Sequence, residues 1–433
     1  MDYPKIKTPP PGPKAKKIIA KDKEYSSPSY IKEYPLAIAG GKGAMVEDVD
    51  GNTYIDWMAG IAVSSTGYQH PAVTKAVQEA AGKFLHICGT DFYYEGFSDL
   101  CEALAKSAPG GGKWRTFLSN SGTEAIEGAV KLARHHTKRA AIVSFHSSFH
   151  GRSYAAMSLT TSKVKYRKGF GPLLPETAYH LPFHNPYRNT LEECIAAAKD
   201  LFATRLDPSD CAAVVMEPLQ GEGGYVLPSK EFLLFWRKFC TDNGILLVFD
   251  EVQCGAGRTG KMWAAEHYGV VPDVFVTAKG IGSGMPIGAI VAKESVMTWP
   301  RGSHGSTYGG NPVACAAALA TMKLIDGELA ANAAKMGARL LAGFKTLQKK
   351  HACIGDVRGL GLFVGVELVT DRKTKEPAGD LMAKLEQLAF TKGLLLLGCG
   401  KSTIRVAPPL VLTAYDVDKG LEIFDACLTE LAR

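Results

Sequence analysis

The feature that most constrains this chain is an alternation: short apolar, strand-like runs separated by stretches of helical period. From about residue 114 the runs are Trp114–Leu118, Ala140–Phe145, Ala212–Met216, Leu246–Phe249, Val274–Ala278 and Ile287–Ala292. Helical patterns lie between them, such as Ser121–His136 and Lys230–Asn243. A strand apolar on both sides must be covered on both sides. Such strands alternating with helices predict a mainly parallel sheet between two helical layers. In that architecture ligands bind outside the carboxyl ends of the strands. The polar signatures of this sequence sit just after those ends.

The flanking regions have a different rhythm. Pro9, Pro10, Pro11 and Pro13 among lysines predict an extended basic arm over residues 1–24. Residues 41–70 read as strand and turn, with Asp50-Gly51-Asn52 at the turn, and residues 71–107 read as helices. Residues 311–350 read as one long helical stretch. The tail has its own α+β character, with strands Leu362–Leu368, Leu394–Leu397 and Ile404–Ala407 and a closing helix Ala414–Leu431. The division expected is an arm (1–24), an N-terminal part of a small domain (25–70), a large domain (71–325) and the C-terminal part of the small domain (326–433).

Composition removes several function classes. No stretch approaches the ~18 apolar residues of a membrane span. Lys and Arg number 50 against 43 Asp and Glu, a formal +7. Seven lysines against Asp2, Asp22 and Glu24 place +4 of this in the first 24 residues, leaving +3 for the rest. That is no basic face for nucleic acid. The ten cysteines form no CxxC pair, so neither a disulfide framework nor zinc spacing is present. No metal site is expected, and the chain reads as a cytoplasmic protein with reduced thiols.

Five segments carry chemistry. Ser119-Asn120-Ser121-Gly122-Thr123-Glu124 opens a helix after a strand, where free N–H groups and the helix dipole suit a phosphate; a simple helix cap is the alternative. Phe149-His150-Gly151-Arg152 offers a stacking ring and a carboxylate clamp. Glu217 begins a glycine-rich loop running to Gly224. Asp250 and Gln253 follow the most apolar strand, where a carboxylate needs a partner such as a protonated ring nitrogen. Lys279 stands between a strand and the glycine-rich turn Gly280–Gly284, placed to form a Schiff base. Each has a bland reading alone. Together they fit one ligand with a phosphate, a basic flat ring and an aldehyde, which is pyridoxal phosphate.

With these residues in view, the chain resembles the class III aminotransferases of the fold type I pyridoxal-phosphate enzymes from about Gly43 onwards. The specific stretches are Asp250–Gly260, Glu217–Gly224, Ser121–Ala125, Phe149–Arg152, Gly305–Pro312 and Gly355–Gly361. The resemblance implies an α/β fold, a large domain with a mainly parallel central sheet plus a small domain from both chain ends. It implies that Lys279 holds the cofactor and shuttles a proton, and that Asp250 pairs with the ring nitrogen. It further implies that Gln253 contacts the ring hydroxyl and that Val252 and Phe149 take the two ring faces. Gly122 and Thr123 would bind the phosphate, with Ser121, His150 and Glu217 in the same cofactor-binding set. Thr307 would reach the cofactor phosphate of a neighbouring subunit, so a homodimer is implied.

Trp57–Pro71 is similar to the 4-aminobutyrate aminotransferase branch. That likeness implies transamination of an ω-amino acid with 2-oxoglutarate. Arg152 would take the distal carboxylate, Arg405 the α-carboxylate of glutamate, Glu222 would neutralise Arg405 when no α-carboxylate is present, and Ile61 would lie near the ring. Acetylornithine and ornithine aminotransferases share nearly all these motifs, and Pro11–Lys17 and Asp48–Asn52 resemble thermophilic archaeal members, some of which are broad-substrate amino-acid racemases. A dehydrogenase is set aside because no G-x-G-x-x-G follows an early strand. A silent binding module is disfavoured by the intact Lys279, Asp250 and Thr123.

Overall fold

A computed structural model describes residues 3–172 and 177–432. At its centre is a seven-stranded sheet. In spatial order its strands are Trp114–Ser119, Gly288–Lys293, Val274–Thr277, Leu246–Asp250, Cys211–Met216, Ala141–Phe145 and Ala178–Leu181. Gly288–Lys293 runs antiparallel to both its neighbours, and the other pairings are parallel. Six strands therefore point the same way. Their side chains are buried almost throughout the middle of the sheet, which is why the sequence there is apolar without alternation. Helices Gly122–Thr137 and Lys230–Asn243 cover it, burying Ile126, Val130 and Leu132 in the first and Phe232, Leu233 and Trp236 in the second.

Two further sheets are built from the chain's flanks. One is Ile38–Lys42, Met45–Asp48, Thr53–Asp56 and Leu394–Leu395, whose last pairing is parallel and joins N-terminal to C-terminal chain. The other is antiparallel: Ile354–Leu360, Phe363–Asp371, Thr403–Val406 and Leu397–Cys399. Helix Ala414–Leu431 closes the chain behind a capping box formed by Thr413 and Asp416.

The arm departs from the extended chain that its prolines predict. Residues Pro13–Tyr25 form a helix. Pro13 sits at the first helical turn, where its fixed φ favours a helix and its missing N–H costs nothing. The Asp50 carboxylate accepts from the N–H groups of Lys14 and Ala15, both at 2.9 Å. The turn Asp50–Asn52 is thus a helix cap as well as a turn. The predicted helix over 311–350 is interrupted by one π turn at Ile325–Leu329, between Pro312–Leu324 and Ala330–Lys350. The ten cysteines are all unpaired. No helix among the described residues is long and apolar enough to cross a membrane, and no His/Cys/Asp/Glu group among them is arranged to hold a metal ion.

Candidate active site

Because six strands share a direction, the segments that follow five of them meet at one edge of the sheet. They enclose a cavity of about 870 Å³. Ser121, Gly122, Thr123, Phe149, His150, Arg152, Glu217, Glu222, Asp250, Val252, Gln253 and Lys279 all line it, together with Ile61 from the short helical turn Ala59–Ala62 and Arg405 from strand Thr403–Val406. Thr307 does not line it; it is exposed, in the loop before helix Pro312–Leu324.

The anion end is the start of helix Gly122–Thr137. Ser121 accepts from the Glu124 N–H at 3.3 Å. Glu124 reaches back to the N–H of Asn120, at 2.8 Å, so the expected capping box is completed one residue early. The N–H groups of Gly122 and Thr123 have no intrahelical acceptor. The Thr123 hydroxyl lies 2.6 Å from that of Ser153. A Cβ on Gly122 would stand 3.0 Å from Val252, so glycine leaves the approach to this terminus open.

Val252 and Phe149 both line the cavity. At its floor the buried His150 Nδ1–H donates to Asp250 Oδ2 at 2.8 Å, and Asp250 Oδ1 accepts from the Val252 N–H. His150 Nε2 is buried and has no partner among the described residues. Sequence reasoning counted His150 with the cofactor set and gave it no task; the structure makes it the brace of Asp250. The Glu217 carboxylate accepts from Phe149 N–H (3.1 Å) and Gly221 N–H (2.8 Å), tying two cavity loops together. Burial, with the charge of Asp250 beside it, pushes Glu217 up to about 7 against the pull of His150. Gln253 accepts from the Tyr225 hydroxyl at 3.0 Å.

Lys279 begins a short 3-10 turn with φ of 45°, a left-handed conformation that is costly for a lysine. The strand-to-turn junction holds its side chain in the cavity. Burial, reinforced by Arg405, lowers its proton affinity; Glu222, Asp250 and Glu217 act in the opposite sense.

Two arginines face the same space in different states. Arg152 is exposed, its guanidinium 4.9 Å from the Tyr166 ring centroid and 5.6 Å from that of Phe149. Among the described residues no carboxylate pairs with it. Arg405 is 5% exposed and its Nη1 donates to Glu222 Oε1, itself on a residue 7% exposed. Burial opposes both charges. Their mutual attraction prevails, holding Glu222 below its ordinary range and raising Arg405. Arg405 Nη2 also donates to Gly398 O at 3.3 Å, whereas Nε has no partner among the described residues.

Sequence reasoning missed the outer wall: Glu33, Lys163, Tyr166, Met382 and Glu386. None follows a strand of the central sheet, so no positional signal marked them. Glu386 is buried, accepts from the Gly398 N–H, and is pushed up to about 7 by burial, with Glu33 adding to the effect.

The residues present fit pyridoxal phosphate. There is a helix terminus free for an anion and an apolar slot for a flat ring. A braced carboxylate can take a ring nitrogen, and a depressed lysine can take an aldehyde. Comparison with known proteins agrees. The sequence profile described as aminotransferase class-III matches residues 26–428. The 5-aminovalerate aminotransferase DavT of Pseudomonas aeruginosa is 41% identical over 404 residues, covering 92% of this chain and 95% of that protein. An acetylornithine aminotransferase of Caldanaerobacter subterraneus is 39% identical, covering 96% and 100%. A 4-aminobutyrate aminotransferase of Mycobacterium tuberculosis is 39% identical, covering 97% of each. An amine transaminase from an uncultivated Pseudomonas species, solved in its PLP-bound form, superposes with a TM-score of 0.86 at 29% identity, covering 94% of this chain and 98% of that one. With the family profile running almost end to end over a fold of this kind, the chain belongs to the class-III aminotransferases, and pyridoxal phosphate is its cofactor.

Proposed function

We propose that the enzyme moves the amino group of an ω-amino acid, 4-aminobutyrate first among them, to 2-oxoglutarate in two half-reactions at this one cavity. The observation that carries this reading is the buried Arg405–Glu222 pair in the same cavity as Arg152, which has no carboxylate partner among the described residues. An ω-amino acid has one carboxylate, and Arg152 is free to take it. Glutamate has two, and its α-carboxylate can replace Glu222 on Arg405. When the ω-amino acid is bound, Glu222 spares the site a buried unpaired cation, a costly state. The relatives named for 5-aminovalerate and 4-aminobutyrate support the same substrate class.

The cofactor, when bound, supplies an aldehyde carbon and an electron-withdrawing ring. The chain's own residues do the rest. Lys279 Nζ, with its lowered proton affinity, is available as a free amine and takes the proton from the amine-bearing carbon of the donor. Asp250, braced by His150, is the group to keep the ring nitrogen protonated. Gly122 and Thr123 receive the phosphate; Val252 and Phe149 hold the ring flat; Gln253 takes the ring hydroxyl. Residues 25–70 and 326–433 serve as a small domain that carries Arg405, and residues 71–325 as the large one.

In the same reading the working unit is a homodimer, with Thr307 reaching the phosphate in the neighbouring subunit. Exposed apolar residues support it: Phe84, Leu85, Phe92 and Tyr93 in one segment, and Tyr308 in the Thr307 loop. That loop is tied to them by Asn311 Nδ2 donating to Leu85 O and Thr90 Oγ1 donating to Ser306 O. Ten unpaired thiols are in keeping with a reducing cytoplasm.

The test is a donor panel with 2-oxoglutarate as acceptor: 4-aminobutyrate, 5-aminovalerate, N-acetylornithine, ornithine and a neutral α-amino acid. The reading expects the highest kcat/KM from an ω-amino acid lacking an α-carboxylate. A preference for N-acetylornithine or ornithine would overturn it.

A further inference from the structure

The motif Gly355–Gly361 carries much of the family likeness, yet none of its residues lines the cavity. Its Arg358 lies in strand Ile354–Leu360 with a side chain only 11% exposed. Every nitrogen of the guanidinium is engaged. Nε donates to Tyr225 O at 2.9 Å. Nη2 donates to Gly224 O and to Thr403 Oγ1, the latter at 3.3 Å. Nη1 donates to Asp356 Oδ2 and Glu367 Oε2, both at 2.7 Å. Gly224 and Tyr225 follow Glu222 in its loop, and Thr403 precedes Arg405 in its strand. One planar fork thus joins the main chain of the Glu222 loop to a side-chain hydroxyl of the Arg405 strand.

The surrounding seam is closely built. Gly400 N–H donates to Glu222 O at 2.8 Å. A Cβ on Gly365, the residue paired with Arg405, would lie 2.9 Å from Tyr225 Cβ. One on Gly400 would lie 2.9 Å from Gly223 O. The main chain around Glu222 therefore has little room, while its carboxylate has Arg405 as its partner among the described residues.

We propose that Arg358 is a positioning residue that pins the Glu222 loop against the Arg405 strand, so that exchange between substrates is a movement of the Glu222 side chain alone. The inference rests on the two-substrate reading above. Arg405 is also held by its sheet pairing and by Gly398 O, so loosening the fork frees chiefly Glu222. A slack loop covers Arg405 less well. A donor without an α-carboxylate then meets a poorly neutralised cation, whereas a substrate bringing its own α-carboxylate has less competition to displace.

The experiment uses the holoenzyme of Arg358→Lys, which keeps a cation between Asp356 and Glu367 but cannot also reach Gly224 O, Tyr225 O and the Thr403 hydroxyl. Thr403→Val, which removes one hydroxyl from the fork, is the milder companion should the first fail to fold. Two readouts are taken. The ratio of kcat/KM for the ω-amino acid and glutamate half-reactions is expected to shift roughly tenfold toward glutamate in Arg358→Lys and less, in the same direction, in Thr403→Val. The dissociation constant of 2-oxoglutarate for the pyridoxal form, which cannot consume it, is expected to fall. Equal losses in both half-reactions, an unchanged ratio or a shift toward the ω-amino acid would overturn the proposal. A wild-type enzyme inert to ω-amino acids would instead refute the functional reading, and the 2-oxoglutarate binding would still decide on Arg358.

Discussion

Replacing Glu222 by glutamine keeps the shape of the side chain and one oxygen for Arg405 while removing the charge. Arg405 and Glu222 are 5% and 7% exposed, so little water screens the pair. Removing one partner of a fully enclosed pair costs about 3–5 kcal/mol. Here the pair opens onto a cavity and a neutral acceptor remains, so the loss of a charged hydrogen bond, about 1.5–3 kcal/mol, is the better guide. At about 1.4 kcal/mol per factor of ten, the ω-amino acid half-reaction should lose roughly 10- to 150-fold in kcat/KM. Glutamate supplies its own α-carboxylate to Arg405, so its half-reaction should be unchanged or faster. The assay is single-turnover absorbance of the bound cofactor with each donor in turn. Equal losses for both donors, or no loss for the ω-amino acid, would refute the reasoning. Stability offers a check with a definite sign. Glu222 is held below its ordinary range, so the stability it contributes is present above about pH 4.3 and is lost as pH falls through its folded value. The variant should therefore be less stable than wild type at neutral pH, and the gap should close in acid.

Further predictions are independent of that pair. Lys279→Ala should lose turnover and the visible absorbance of lysine-bound cofactor; retained turnover would remove Lys279 from its role. Glu386 is pushed up to about 7 and its folded form therefore holds a proton that the unfolded chain releases near 4.5. Its contribution falls as pH rises between those values, so Glu386→Gln should gain stability relative to wild type from pH 4.5 to 7.5, on the order of 3 kcal/mol by urea unfolding; a constant difference would contradict the burial argument. Gly337→Ala would add about 1 kcal/mol of helix propensity within Ala330–Lys350. The new Cβ would however collide with the main-chain carbonyl of Gly361, so the midpoint of thermal unfolding should drop, by an amount equivalent to about 1–3 kcal/mol or more. A rise would mean that the two segments can separate cheaply.

What the sequence makes legible follows from how each residue reaches its place. Apolar runs such as Cys211–Met216 and Leu246–Asp250 declare themselves because both faces are buried. Residues at or just past the ends of those runs, Glu217, Asp250 and Lys279 among them, could be read as a site because strand direction alone brings them together. Strand Ile354–Leu360 was invisible by composition, since Gly355 and Gly359 weaken a strand pattern. Those glycines are required by contact: a Cβ on Gly359 would lie 2.6 Å from Phe363 O, and one on Gly355 as close to the Tyr187 hydroxyl. The arm's helix was hidden because prolines speak for extended chain until Asp50 is seen capping Lys14 and Ala15. Glu386 and Met382 reach the cavity from helix Gly379–Thr391, and Glu33 from a coil, by tertiary packing alone. No spacing in the sequence announces that.

The most direct test of the central claim needs no acceptor. 4-Aminobutyrate is added to the pyridoxal form of the enzyme with no oxo acid present, and the absorbance of the bound cofactor is followed. Stoichiometric conversion to the pyridoxamine form is the predicted result, reversed on adding 2-oxoglutarate. An unchanged spectrum with 4-aminobutyrate and 5-aminovalerate, from enzyme that N-acetylornithine does convert, would contradict it.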